Sequence, residues 1–239
     1  MHTNRGRIIT PLKDRFGAQI RTHYPLDIVA ELAVVRQEAM APAGGEIAVK
    51  VPNFMADIIA TFSHLARQSP NVNQRSGVSV RLSVSNYETL IAAAIRRALR
   101  AGEKQAVPRV TDLDALMAST QGKIEIETLD EREGSVVEKL LKAAVLNVFK
   151  DRCRIEDFRE AINAFEEGLI VHVGDDLKAA EYVALLSSNR ALATAVDKLD
   201  PGTTPGELAS ATEFVLEGLH LSKRLNKDAS GSKATYRGR

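Results

Sequence analysis

Two arginines carry the strongest chemical signal in this chain. Arg15 closes the run Arg7-Ile8-Ile9-Thr10-Pro11-Leu12-Lys13-Asp14-Arg15-Phe16-Gly17, where it sits beside a carboxylate and just before a glycine. A guanidinium is planar, always charged and matched to phosphate oxygens in a bidentate fork. From the end of a short helix it can stabilise charge on a transferring γ-phosphoryl group held by a neighbouring subunit. A surface arginine paired with a carboxylate fits the same local sequence. Arg81 follows Gly77-Val78-Ser79-Val80 and opens a long helical pattern. There, free backbone N–H groups and the helix dipole already favour an anion, and Ser79 is placed to act as N-cap. An ordinary exposed arginine in a first helical turn reads identically from local sequence.

Other candidates are thinner. His172, Asp175 and Asp176, in Val171-His172-Val173-Gly174-Asp175-Asp176, have metal-ligand chemistry. A strand end followed by a turn, with one aspartate capping the next helix, accounts for them better. Cys153 lies between Arg152 and Arg154, which would favour its thiolate, but no histidine is placed nearby to make it a nucleophile. His23, His64 and His220 show no metal-ligand spacing. Arg96, Arg97 and Arg100 form a basic stripe without interleaved aromatics, so a solvated helix face is expected rather than a nucleic-acid groove.

The elements that must position these groups are mostly helical. Residues 8–16 read as a short helix stopped by Gly17, and 18–24 alternate as a strand ended by Tyr24-Pro25. Ile28, Leu32 and Val35 define the next helix. Asn53 is placed to cap another, with a stripe of Ile58, Ile59, Phe62, Leu65 and Ala66. In the helix that runs to Ala101-Gly102, the stripe is Leu90, Ile91, Ala94, Ile95 and Ala98, and Arg96, Arg97 and Arg100 fall on its wet side. Val107–Val110 is a short extended link, and Thr111 or Asp112 can cap a helix carrying Leu113, Leu116 and Met117. A composition change at Ser119-Thr120-Gln121-Gly122 marks a boundary. Beyond it, Lys123–Glu127 alternates as an edge strand, followed by helices near 133–150, 156–167, 177–187, 189–199 and 205–226. The Ser/Gly/Lys/Arg-rich tail from Asp228 has no apolar period and is expected to be disordered.

Composition narrows the class. The 239 residues suit one large or two small domains, with sparse aromatics and no tryptophan. A formal net charge of +1 gives no global field toward nucleic acid or membrane. The single cysteine, the lack of a signal-peptide core after Met1 and the lack of a membrane-length apolar run together fit a reducing cytoplasm.

The order of these features resembles an AAA+ ATPase, most closely the magnesium chelatase I-subunit branch with its MoxR-type and minichromosome maintenance relatives. Pro11-Leu12-Lys13-Asp14-Arg15-Phe16-Gly17 looks like the family's Asp-Arg-Phe-Gly segment. Ser79-Val80-Arg81, followed by the Ala94–Gly102 stretch and Val110-Thr111-Asp112-Leu113, looks like its sensor-2 and lid helices. The resemblance covers roughly residues 5–120. It implies that Arg15 is an arginine finger acting in trans and that Arg81 is the sensor-2 arginine contacting ATP in cis. It also implies a homo-oligomeric ring, expected to be a hexamer, and a partner bearing an integrin-I-like metal-binding domain. The expected organisation is a remnant of the ATPase core over 1–26, a helical lid over 27–120, a second helical domain over 121–227 and a disordered tail over 228–239. That makes a mainly α chain with a short α/β remnant.

The chain also departs from the family pattern. No Gly-x-x-x-x-Gly-Lys-Ser/Thr occurs in it, so no loop cradles phosphates. Leu129-Asp130-Glu131 imitates a magnesium-holding acidic pair. Its strand, however, is interrupted by Glu125 and Glu127, and it falls after the finger rather than before, so a helix-capping cluster fits better. ATP and magnesium would therefore be held through upstream residues of a longer parent, and this chain alone is not expected to hydrolyse ATP. The alternative is a helical protein-interaction module with no nucleotide role.

Overall fold

The computed structural model describes residues 14–18, 20, 22–40, 47–73, 76–126 and 133–239. Over these residues the protein is mainly helical, with a few short strands. Helix α1 (Ile28–Glu38) starts at Asp27, whose Oδ1 accepts from the Ala30 N–H at 2.7 Å. It buries Leu32 and Val35 as its spacing requires. Helix α2 (Asn53–Gln68) carries the expected apolar stripe, with Ile58, Ile59, Phe62 and Ala66 buried and Leu65 at its margin. Asn53 does not cap it. The chain enters through Pro52, whose fixed φ suits a helix start without a side-chain cap.

Helix α3 (Val80–Ala101) is capped as its sequence predicts. Ser79 Oγ accepts from the Arg81 N–H at 3.3 Å, and Gly102 ends the helix with φ +70°, the left-handed conformation that favours glycine. The link that follows contains β2 (Gln105–Ala106), which pairs in parallel with β1 (Ala48–Val49). A 3-10 turn over Val110–Ala115 then runs into the short α4 (Leu116–Thr120). Helices α5 (Glu133–Arg152), α6 (Arg159–Glu166), α7 (Ala179–Ser188), α8 (Arg190–Asp197) and α9 (Pro205–Leu221) lie close to their expected positions. Thr204 caps α9, with Pro205 in its first turn and Glu207 reaching back to the Thr204 N–H.

Three expectations are corrected. The described residues of 18–24 form no strand, and the short helix expected over 8–16 falls largely outside the described residues, with Asp14 and Arg15 in a turn. Lys123–Ile126 forms no extended edge: Ile126 makes one isolated bridge to Val72, and Leu129–Glu131 lie outside the described residues. The tail is the largest correction. Helix α9 stops at Leu221, and β4 (Asn226–Ser230) and β5 (Lys233–Arg237) form an antiparallel hairpin. Strand β5 also pairs with β3 (Val171–Gly174), giving the order β3-β5-β4. Its period of two buries Ala234 and Tyr236 between exposed Lys233 and Arg237. Two apolar residues in five are too few to stand out against the tail's polar composition, but they anchor it once α9 offers a surface.

One apolar cluster extends from Phe54 on α2 to Tyr236 on β5. At its centre Phe149 of α5 lies 5.5 Å from the Phe158 ring and 5.7 Å from Phe214 of α9, and Phe214 stacks on Phe54 at 4.6 Å. Gly218 permits this approach, because a methyl group there would overlap the Phe149 ring. The core is thus shared by elements on both sides of Ser119–Gly122. Among the described residues, no helix is long and apolar enough to cross a membrane.

Candidate functional site

Arg81 occupies the first turn of α3 with its side chain exposed. Among the described residues it has no ion-pair or hydrogen-bond partner for its guanidinium, so the charge faces water at the positive end of the helix dipole, where Ser79 already takes the Arg81 and Leu82 N–H groups. That arrangement suits an anion. Arg15 is also exposed, in the turn preceding Phe16. Among the described residues nothing ties Arg15 to Arg81. The nearest anchor of the N-terminal segment is Tyr24, whose ring lies under the Arg67 guanidinium at 4.7 Å with its hydroxyl against Gly77.

The basic stripe of α3 does not behave as one face. Arg96 and Arg100 are exposed, whereas Arg97 is 1% exposed, correcting its assignment to the wet side. Its Nε donates to Asp112 at 3.1 Å, and its Nη2 donates to Asp112 Oδ2 at 2.9 Å and to the Val107 carbonyl at 2.7 Å. Burial alone would lower the Arg97 pKa, but the paired Asp112 carboxylate outweighs it and holds the group above its usual value. Asp112 also accepts from the Arg109 N–H at 2.8 Å, so it organises the turn that the sequence assigned to a simple cap. Arg109, itself fully buried, donates to the Leu177 carbonyl at 2.8 Å and lies over the Tyr182 ring. The Tyr182 hydroxyl donates in turn to buried Glu213 on α9. Desolvation pushes the Glu213 carboxyl and the Tyr182 phenol up. This chain of polar contacts joins α3 to α7 and α9.

A second buried cluster lies under α1. Glu31 is fully buried and receives Arg67 in a two-pronged pair at 2.5 and 2.8 Å. Ser83 Oγ donates to Glu31 at 2.5 Å and lies 2.6 Å from Ser63 Oγ, and His64 Nε2 is 3.1 Å from the same carboxylate. Burial raises the Glu31 pKa, but Arg67 and Ser83 more than reverse this and leave it below the usual value. The residue types match a hydrolase set, but the arrangement does not. Ser83 is bonded to the carboxylate directly rather than through the histidine, and both serines are fully buried. The cluster is structural. Sequence reading missed it because Glu31 stands beside Leu32 on a helix whose other acid, Glu38, is exposed.

The remaining candidates resolve individually. His172 Nδ1 is 2.9 Å from Thr235 Oγ1 across the sheet, and Asp175 accepts from Ser232 and Arg100. Those contacts, Ser232 foremost, hold the Asp175 carboxyl below its usual range. Neither aspartate caps α7. That role falls to Glu181, which accepts from the Lys178 N–H. Among the described residues no cluster of three His, Cys, Asp or Glu side chains suits a metal. Cys153 is half-buried and its thiol is pushed up to about 11 by desolvation, the flanking Arg152 notwithstanding. Less than about 1% thiolate is expected at pH 8. Iodoacetamide should therefore label the native chain far more slowly than the chain in denaturant, with mass spectrometry as the readout. Equal rates would contradict the burial.

Comparison with known proteins gives no relative: no family model, no curated protein and no solved structure matches this chain.

Proposed function

We propose that the chain is the C-terminal portion of a magnesium-chelatase-like AAA+ ATPase. In this reading Arg15 is an arginine finger acting on ATP bound by a neighbouring subunit, and Arg81 is the sensor-2 arginine of a helical lid. A homo-oligomeric ring would couple ATP hydrolysis to remodelling of, or metal insertion into, a partner, for which an integrin-I-like domain is the expected type. The observation that carries the reading is the state of Arg81. Its guanidinium is free among the described residues at the capped start of the 22-residue helix α3, where a phosphate would meet the side-chain cation together with the positive end of the helix dipole. Arg15 and Arg81 suit the phosphates of ATP by charge and by the planar guanidinium fork. In this reading magnesium would be held by residues of a longer parent, and among the described residues no carboxylate cluster suits it.

The runner-up, a self-contained interaction module, requires residues 8–24 to pack on the helical bundle. Phe16 is 62% and Ile20 88% exposed, which weighs against it. The test extends the reading frame upstream. A glycine loop of the phosphate-binding type is expected there, and its absence would remove the main support for an ATPase. In the extended protein, Arg15→Ala should lower ATP turnover by about 10³-fold while leaving binding of a fluorescent ATP analogue intact. Arg81→Ala should weaken that binding itself. Unchanged turnover in the Arg15 variant would remove the finger.

A further inference from the structure

A cleft of about 470 Å3 lies between α9, α5, the 3-10 turn and the β4–β5 hairpin, well away from both Arg15 and Arg81 in sequence. Its volume is that of a small-ligand site rather than of a solvent channel. Leu113, Met117, Leu141 and Val145 supply an apolar wall, and residues of the hairpin turn close the opposite side.

The charges in the cleft are unevenly satisfied. Lys142 donates to Glu138 at 2.6 Å, and Lys227 donates to Glu217 at 2.7 Å. Glu217 also accepts from the Tyr236 hydroxyl at 2.5 Å. Lys233 turns instead to Asp176 at 2.5 Å. Glu213, at the back, is saturated by the Thr111 N–H at 2.9 Å, the Thr111 hydroxyl at 3.0 Å and the Tyr182 hydroxyl at 2.6 Å. Asp114 alone has no hydrogen-bond or ion-pair partner for its carboxylate among the described residues. Asp114 sits at the exposed rim of the cleft, where partial desolvation, with negative potential from Glu217 and Glu138, raises its carboxyl even though Lys227 and Lys142 oppose this.

An anion would have to compete for lysines already held by carboxylates. A cation meets a carboxylate with none. An aliphatic stem on that cation has the leucine, methionine and valine wall to lie against, as lysine and arginine stems do elsewhere in proteins. The geometry points to a binding site for an alkyl-ammonium or alkyl-guanidinium group, its charge on Asp114 and its stem along Leu113, Met117, Leu141 and Val145. Two sources carry that chemistry: a free organic amine, and a lysine or arginine side chain of a partner polypeptide.

The test is a ¹H–¹⁵N chemical-shift titration of the full 239-residue chain. The probes are n-hexylamine, butylguanidine and a capped pentapeptide with one central arginine between leucines. Hexanoate, with the same stem and opposite charge, is the control. Saturable shifts at Asp114, Met117, Leu141 and the hairpin turn are expected with the cations and not with hexanoate. Asp114→Asn is nearly isosteric at a solvent-accessible position and should weaken binding about tenfold or more. Lys233→Ala should change binding less than about twofold, because Lys233 points its charge at Asp176. Tighter binding of the peptide than of the amines assigns a protein partner; binding of the amines with exclusion of the peptide assigns a small molecule. Equal binding of hexanoate, an unaffected Asp114→Asn variant, or no saturable shift with any cation would each overturn the site.

Discussion

Replacing Arg97 by Ala is expected to destabilise the fold by about 3–5 kcal/mol, the cost of breaking a buried ion pair from one side. The size follows from what remains. Asp112 would stay almost wholly enclosed, still accepting from the Arg109 N–H but stripped of its two guanidinium donors, and the Val107 carbonyl would lose its 2.7 Å partner. Water cannot reach these groups without opening the junction between α3 and the 3-10 turn. Arg97→Lys should recover only part of the loss, since one ammonium cannot reproduce the fork. Arg96→Ala, one residue earlier but exposed, should stay within about 0.5 kcal/mol of the parent. Urea denaturation of the three variants checks this, with the midpoint moving and the slope held. Equal losses for Arg96 and Arg97 would mean that Arg97 is not buried in solution.

That contrast also shows where sequence reading succeeds and fails. The apolar stripe of α3 places Leu90, Ile91, Ala94 and Ala98 inside, as they are. Apolar period alone cannot place Arg97, because a helix side borders the core over an arc wider than its apolar residues. Whether an arginine at that margin turns out or in depends on a carboxylate fifteen residues later, and Asp112 is that residue. Leu99 is the complement: an apolar side chain left 64% exposed because its direction points away from every neighbouring element. The helices of the second half were legible from different signals: α6 and α8 from a narrow apolar face, and α9 from its Thr204-Pro205 start and Glu207 capping box. The closing hairpin was not, because its pairing partner, Val171–Gly174, lies some sixty residues earlier and strand pairing is non-local. Of the candidate site, the first-turn position of Arg81 and the Ser79 cap were readable from local signals. The carboxylate left without a partner in the cleft was not, since nothing in the sequence near Asp114 distinguishes it from Asp112, two residues before.

The polar clusters also limit how the helices can move against one another. Arg97, Asp112, Arg109 and Glu213 join the C-terminal end of α3 to α7 and α9, while Glu31, Arg67 and Ser83 join its N-terminal half to α1 and α2. Helix α3 is therefore fastened near both ends, with Arg81 two residues before the first fastening at Ser83. A force on Arg81 from a bound phosphate would move these elements together rather than bend α3 alone. This bears on the proposed ATPase role, in which Arg81 would report the state of the nucleotide to the rest of the chain.

Glu31→Gln is expected to cost about 3 kcal/mol at neutral pH and to remove part of the acid sensitivity of the fold. Gln retains the shape and one acceptor, but Arg67, only 10% exposed, would keep its charge with no counterion. Glu31 has a folded pKa below its ordinary value. Its contribution is therefore fully present above the unfolded carboxyl value of about 4.3 and is lost as pH falls through the lower folded value. His64 Nε2 lies 3.1 Å from the same carboxylate, so the acid arm of the test follows Glu31 through its own substitution. Denaturation at pH 7, 5 and 3 should show the parent losing more stability than Glu31→Gln between pH 5 and 3, with the two curves converging at the acid end. Parallel losses would assign the acid sensitivity to other carboxylates, among which Asp175, also held below its usual value, is the next to test.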